Sequence, residues 1–417
     1  MSPNSGARIA LGLITRDLLD PKPIHRFLDN AASYGHAIER VIIAYSHDVD
    51  TRVIDEIESR IDLDLLCAHD APSLEHKLMD LGLKSSEIEG LLMVPSWQSC
   101  REIPYGAYRN VVLMQALLEG MDYLLFFDTD VEPRVLTGLE AGKASWEQAD
   151  FVGTHMAALT QEGVSATTSE YSGYYIIPPM EFEGFGDLLF GLGKSMALEY
   201  MDNCREHQCL NLGTPYPRRL EPTYKPLGGN LGLSLKTFWR LAPFFSTTFR
   251  YKELCVKGRG EDTLLGQALT DAKGTIMDID LRVFHDTYID FPEIPDIHRR
   301  PIRDRFYMAC LGWIGRNPFM TWFLEQRERL ETSFEAEIQI QRLGLEIGGG
   351  ALAEYLQDAR FLDLPAAFEC SHDALPASIE RFTRLIKGWS ALVGSLGHGQ
   401  PSYTGEDEIV GWLPLAS

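Results

Sequence analysis

The stretch YLLFFDTDVEP, residues 123–133, constrains this chain more than any other. A run of apolar residues suited to a buried strand ends abruptly in Asp128 and Asp130, and the i, i+2 spacing turns both carboxylates to one side of an extended backbone. Carboxylates so placed suit a hard divalent cation such as Mg²⁺ or Mn²⁺, which prefers oxygen ligands and shares its coordination with nucleotide phosphates. The expectation is an enzyme acting on a nucleotide-linked substrate.

The segments before this stretch alternate in a regular way. Residues 8–15 and 39–46 are short β-branched-rich runs, and between them His25, Phe27, Leu28, Ala31 and Tyr34 roughly follow a helical period. A helix at 50–60, a strand at 64–68 and a helix at 106–120 lead into the strand at 123–127. This alternation predicts an α/β fold, a mainly parallel central sheet with helices on both faces, whose ligands gather at the carboxyl ends of the strands. Further on, strands are expected at 150–153, 171–177 and 275–284, with a helical insertion at 186–206 and a helix starting near 263. From about 303 the pattern is mostly helical, interrupted by the glycines at 348–350 and the loop at 397–405. A border near 310 would divide a domain of residues 1–310 from a mainly helical region, 311–417.

Composition narrows the partners. Lys and Arg number 38 against 60 Asp and Glu, and the resulting net charge of −22 repels nucleic acid and anionic membranes. A polyanionic ligand must therefore be held by local cations. The cysteines are scattered, odd in number and without CxxC spacing, which fits a reducing compartment better than a disulfide framework or a zinc cluster. The apolar run near the N-terminus ends at Asp17, and no stretch reaches the ~20 apolar residues of a membrane-spanning helix. The expected location is the cytoplasm.

YGAYRN (105–110), FFDTDVEP, PLGGN (226–230), GRGEDTLLG (258–266) and FHD (284–286) stand in that order over residues 8–290. In this the chain resembles metal-dependent GT-A-fold glycosyltransferases, either family-2-like or similar to mannosylglycerate synthase. The resemblance implies a Rossmann-like nucleotide-diphospho-sugar transferase fold, a nucleoside-diphosphate sugar donor, a hydroxyl acceptor and Mn²⁺ or Mg²⁺ as cofactor, with a homo-oligomer left open. By position, Asp130 is the direct metal ligand, Asp128 meets the ribose and the metal's surroundings, and His285 completes the metal coordination. Arg109 and Asn110 fall near the nucleotide and sugar, Thr15 and Arg16 near base and ribose, and Tyr45 and Asp48 at the comparable end of the next strand. Gly229 and Asn230, after Gly228, would let backbone approach the donor sugar. Glu261 and Asp262 are the catalytic carboxylates, with Asp262 the preferred proton acceptor in an inverting reaction; mannosylglycerate-synthase-like enzymes leave a retaining outcome open. Lys257 and Arg259, with Arg250 and Lys252, or else Arg299, Arg300, Arg303 and Arg305, would hold the donor diphosphate or a carboxylate or phosphate on the acceptor.

Each residue also has a plainer reading. Asp-x-Asp occurs in solvated turns, Glu261 and Asp262 suit a helix N-terminus, and a lone histidine is more often structural than a ligand. Arg109 could lie on a helix surface and Asn110 in a core hydrogen bond; Met-rich and aromatic stripes are usually core. A dehalogenase-type phosphatase would want a Thr near Glu132, and an EF-hand would want Gly where Pro133 stands. A sugar-phosphate nucleotidyltransferase would carry a richer glycine loop than Gly12 and Arg16 provide. A non-catalytic carbohydrate-binding protein would not need Asp128, Asp130, Asp262 and His285 together.

Overall fold

The structure is a computed structural model and describes residues 6–397 other than 69, 94–102, 195–200, 202–203, 206–208, 217–218 and 272–273. The chain begins with β1 (Ile9–Ile14), α1 (Lys22–Ser33), β2 (Arg40–Tyr45), α2 (Thr51–Glu58) and β3 (Asp62–Cys67), whose strands pair in parallel. α1 buries Ile24, Phe27, Leu28 and Ala31, and the Phe27 ring stacks on Phe127 with centroids 4.1 Å apart. Burying such a ring contributes about 1.5–3 kcal/mol. α3 (Pro72–Asp80), α4 (Ser85–Leu92) and α5 (Tyr105–Leu118) then deliver the chain to β4 (Tyr123–Phe127), which is buried throughout and pairs in parallel with β1. An unbroken apolar run is what a strand covered on both faces requires.

Beyond β4 come β5 (Val131–Glu132), the hairpin of β6 (Arg134–Glu140) and β7 (Lys143–Gln148), α6 (Phe151–Leu159), β8 (Val164–Thr168) and β9 (Gly173–Tyr174). α7 (Phe185–Gly191), β10 (Leu210–Asn211), β11 (Glu221–Thr223) and β12 (Asn230–Ser234) follow, and then a second hairpin, β13 (Thr248–Tyr251) with β14 (Leu254–Lys257). α8 (Glu261–Asp271), β15 (Thr275–Asp278) and β16 (Phe284–His285) precede the closing helices α9 (Arg300–Gln326), α10 (Phe334–Leu356), α11 (Leu364–Asp373) and α12 (Leu375–Leu396).

The central sheet has the order β11-β15-β8-β12-β4-β1-β2-β3. β8 and β15 are also parallel, whereas β12 runs antiparallel to β4 and β8, and β11 to β15. Ile9, Leu11 and Leu13 of β1 join one core with α1, α2 and α6, and Ala10 joins another with α3, α4 and α5. The expected α/β sheet with helices on both faces is present, and an antiparallel strand lies at its middle.

Four local expectations are corrected. Residues 150–153 begin α6 rather than a strand, because the Asp150 carboxylate accepts the Gly153 N–H and caps a helix. Within 171–177 the strand is reduced to β9, with an isolated bridge from Ser172 to Phe284 beside it. The predicted strand at 275–284 breaks after Asp278, whose Oδ1 accepts the N–H of Asp280 at 2.8 Å while Asp280 takes a left-handed φ of 51°. Gly348–350 do not interrupt a helix; they lie inside α10, where α7 presses close to the backbone. Residues 195–200, 202–203 and 206 of the expected helical insertion, and 398–405 of the later loop, lie outside the described residues.

Position 310 falls within α9, and Cys310 is fully buried. α9, α10 and α11 share a core with α7, β13 and β14, while Phe382, Leu385 and Trp389 of α12 pack with α4 and Phe319 of α9. The helices beyond 310 therefore wrap the sheet-bearing part of the chain. Cys67, Cys204, Cys209, Cys310 and Cys370 are free thiols. Cys255, expected reduced with the rest, is disulfide-bonded. Among the described residues no helix is long and apolar enough to cross a membrane.

The close packing of α7 on α10 has a direct consequence. A Cβ on Gly348 would run into the backbone of Leu188, so Gly348→Ala must push the helices apart. The expected loss is about 1–3 kcal/mol in chemical denaturation, and an unchanged midpoint would contradict this packing.

Candidate active site

The carboxyl ends of β2, β1 and β4 lie side by side, which sets Tyr45, Thr15 and Asp128 along one rim of the sheet. β12 enters beside β4 with Asn230 opposite Phe127, and so the turn before it carries Gly228 and Gly229 against Asp128. A Cβ on Gly229 would strike the Asp128 carboxylate, and one on Gly228 the Arg109 guanidinium. Only glycine permits both approaches.

The break after Asp278 redirects the chain so that β16 pairs with β5, with His285 opposite Val131. The N–H of Asp286 donates to the Asp130 carbonyl at 3.0 Å, and that of His285 to the Ser172 carbonyl at 2.9 Å. His285 Nε2 then lies 3.1 Å from Asp130 Oδ2, with Arg305 Nη2 3.6 Å from the same oxygen. Burial pushes the Asp130 pKa up, but the His285 contact and Arg305 outweigh it and hold the carboxyl below its usual value. Thr287 donates its hydroxyl proton to the Tyr174 carbonyl at 3.2 Å, so its oxygen is left to accept from His285 Nδ1, 3.3 Å away. This contact steadies the ring with Nε2 facing Asp130, where it donates to the carboxylate and would turn its lone pair to a bound cation.

Arg109, from α5, is 3% exposed and binds three ways. Its Nε donates to Glu261 Oε1 at 3.1 Å, Nη1 to the Gly228 carbonyl at 3.0 Å and Nη2 to Asp128 Oδ1 at 3.3 Å. Burial opposes its charge most strongly, yet Asp128, Glu261 and Asp262 together raise its pKa. The carboxyl pKa of Asp128 is raised by burial, with Asp130 adding to the effect and Arg109 opposing it. Burial and then Asp262 raise Glu261, against the pull of Arg109. Asp262 accepts the Gly228 N–H at 3.1 Å and the Thr263 N–H at 2.7 Å, tying the start of α8 to the glycine turn.

The remaining residues named from the sequence fall into separate groups. Asn110 is fully buried, and its amide exchanges two hydrogen bonds with the Phe244 backbone, 2.9 and 2.8 Å; it braces the fold and does not face the donor crevice. Asn230 is likewise fully buried, bonded to His155 Nε2 and to the carbonyls of Ser169 and Leu281. Both had been placed at the donor, and in both the amide's capacity is used inside the core. Thr15 donates to the Asp17 carbonyl, Arg16 is exposed, and the Asp48 N–H donates to Asp17 Oδ1. Lys257 Nζ lies 4.8 Å from the Tyr105 ring centroid, and Arg259 packs over Gly312 of α9. Of the second basic cluster, Arg299, Arg300 and Arg303 pair with Asp290, Asp304 and Asp358, and only Arg305 reaches Asp130.

Two residues at the site were not anticipated. The Tyr171 hydroxyl accepts the Gly229 N–H at 3.0 Å, its ring lies 4.7 Å from that of His285, and burial, reinforced by Asp128 and Asp262, raises its pKa well above the usual value. Lys194 has its ammonium 4.1 Å from the Trp313 ring centroid. Burial first, then Arg316 and Arg259, push its pKa well down, with Asp262 opposing. Neither lies in a motif; the position of Thr287 two residues after His285 was the one local hint of a supported histidine.

Among the described residues, no group of three or more His, Cys, Asp or Glu side chains converges as a metal enclosure. Asp128, counted with the metal ligands on sequence grounds, is instead drawn aside by Arg109. Asp130 and His285, 3.1 Å apart, are the two side chains that could hold a divalent cation here, one oxygen and one nitrogen donor. Such a set leaves the remaining coordination positions to water and phosphate oxygens, as nucleotide-bound divalent cations require.

No protein-family model matches the sequence, and no curated protein matches it. Solved structures give a distant likeness. Glucosyl-3-phosphoglycerate synthase from Mycobacterium tuberculosis, in complex with Mn²⁺, UDP and glucosyl-3-phosphoglycerate, is 16% identical over 77% of this chain and 80% of that one, with a TM-score of 0.36. The same synthase with Mn²⁺, UDP-glucose and phosphoglyceric acid is 15% identical over 79% and 83%, also at 0.36. A superposition of this quality carries no functional argument, and the function proposed below stands on the side chains themselves.

Removing Arg109 strands the buried Glu261 carboxylate and leaves the half-buried Asp128 without its cation. Arg109→Met is therefore expected to cost about 3–5 kcal/mol in chemical denaturation at pH 7, and a loss under 1 kcal/mol would contradict the network. His155 provides a pH test. Burial pushes its imidazole down to about 4, the Asn230 bond only partly opposing, whereas the unfolded chain titrates near ~6.5. Between these values the unfolded state binds the extra proton, so this contribution is full above pH 6.5 and is lost as pH falls toward 4, by about 3 kcal/mol. Denaturation curves at pH 7 and 4.5 should show a smaller pH difference for His155→Gln than for wild type; equal differences would sink the assignment.

Proposed function

We propose that the protein is a metal-dependent glycosyltransferase, moving a sugar from a nucleoside diphosphate to a hydroxyl group on a small anionic acceptor. The observation that carries this reading is the Asp130–His285 pair, 3.1 Å apart at the carboxyl end of the central strand, beside a glycine turn packed closely on Asp128 and Arg109. When bound there, Mn²⁺ or Mg²⁺ would neutralise the negative charge that gathers on the departing diphosphate.

The protein's own side chains divide the remaining work. Thr287 fixes the ring of His285, and Arg109 fixes Asp128 toward the rim where Thr15 and Tyr45 mark the nucleotide crevice. Asp262, at the head of α8, is the residue placed to receive a proton from the acceptor hydroxyl, with Glu261 held behind it by Arg109. Lys194, Arg259 and Arg316 gather on the Asp262 side of the crevice, with Arg316 against Gly260 and Arg259 over Gly312, and this positive charge suits an anionic acceptor group. Arg305 adds a further positive charge on the metal side. A cytoplasmic location and Lys257 as part of the donor site are supported by the sequence pattern alone.

The direct test is release of nucleoside diphosphate from a panel of nucleotide sugars with and without Mn²⁺. UDP-glucose and phosphoglyceric acid are suitable first probes. Asp130→Ala should keep its fold and lose metal-dependent turnover by at least about 10²-fold; a folded variant with full turnover would refute the metal role. Arg259→Ala should raise KM about tenfold for a phosphorylated or carboxylated acceptor and leave a neutral one unaffected, and equal effects on both would remove the anionic-acceptor part.

A further inference from the structure

We infer that α10 is a self-association surface, which pairs antiparallel with α10 of a second copy of this chain. The outward face of this helix carries Ala336, Ile340, Leu343, Ile347 and Gly350, a 4-3-4-3 spacing that forms a narrow coiled-coil seam. Ile340, Leu343 and Ile347 are 48%, 54% and 47% exposed, although the opposite face of the same helix is buried against α7 and α9. The elements flanking α10 extend the patch. Phe190 of α7, next to Gly191 that abuts Gly344, is 49% exposed, and Leu362, next to Phe361 whose carbonyl abuts Gly349, is 58% exposed.

The order of sizes along the seam identifies the occupant. Small, Ile, Leu, Ile, small reads the same from both ends, so a dyad at Leu343 sets Leu343 against its copy, each Ile340 against an Ile347, and Ala336 against Gly350. Charge selects the antiparallel sense. A parallel pair would align Glu335, Glu346 and Glu354 each with itself, whereas the antiparallel dyad brings Arg342 of one copy near Glu346 of the other. These two already form an ion pair at 3.2 Å within one chain, and they share one flank of the seam. The five large side chains expose roughly 500 Å² of apolar surface per copy, comparable with the apolar part of an interface of about 800 Å² per partner.

Sedimentation velocity of the full chain between 1 and 100 μM tests this. Wild type is expected to dimerise within that range, and Leu343→Asp and Ile340→Asp to weaken the dimer at least tenfold with unchanged circular dichroism and melting temperature. Spin labels at Glu335 and Gln339 report the sense of pairing. Each residue adds about 1.5 Å along the axis, so the label pair at 335 should lie about 10 Å further apart than the pair at 339. A wild-type monomer throughout, a dimer indifferent to both aspartates, or equal label separations would each overturn the proposal.

Discussion

A single buried guanidinium joins the parts of this molecule that are far apart in sequence. Arg109 stands on α5, yet it holds the end of β4 through Asp128, the turn before β12 through Gly228, and the start of α8 through Glu261. Taking such a charge out of water costs several kcal/mol. The cost is offset by two carboxylates, one carbonyl and the faces of Phe126 and Phe244, 5.2 and 5.9 Å away. The same carboxylates form the candidate site. Here the ion pairs that stabilise the fold and those that shape the crevice are one network, and a change made to one reaches the other.

The second constraint is the break in the strand after β4's far neighbours. Had residues 275–284 continued as one strand, His285 would have ended at the rim of β15, beyond β8 and β12 from Asp130. The Asp278–Asp280 turn, with a non-glycine residue held at φ 51°, takes the chain out of the sheet and lays β16 against β5. A left-handed residue of this kind costs of order 1 kcal/mol or more. The short β5–β16 pairing and the Ser172 carbonyl hold the redirected chain in place, and the outcome is a histidine beside an aspartate.

What was legible in the sequence follows from range. β4, α5 and the α8 helix were readable because apolar runs and terminal carboxylates act locally, and the Asp128, Asp130, Glu261 and Arg109 grouping followed from the order of motifs. Asn110 and Asn230 were misplaced because a buried amide and a ligand-binding amide look alike in one dimension; only the Phe244 backbone and His155 reveal which they are. Tyr171 and Lys194 were invisible for the converse reason, since each meets the site through partners more than forty residues away. The glycines at 348–350 read as a helix stop, and the approach of α7 that explains them is a tertiary fact.

The charge of the chain and the charge of the site have opposite signs, and that opposition has a physical scale. With a net charge of −22, the surface repels a nucleoside diphosphate or a phosphorylated acceptor at long range, but at physiological salt such repulsion fades over about 8 Å. Inside that distance the nearby cations dominate. Lys194 is one of them: burial first, and then the charges of Arg316 and Arg259, push its pKa well down, with Asp262 opposing. On the proposed reading, a carboxylate or phosphate on the acceptor would meet this positive charge at short range, where the net charge of the chain no longer opposes its approach.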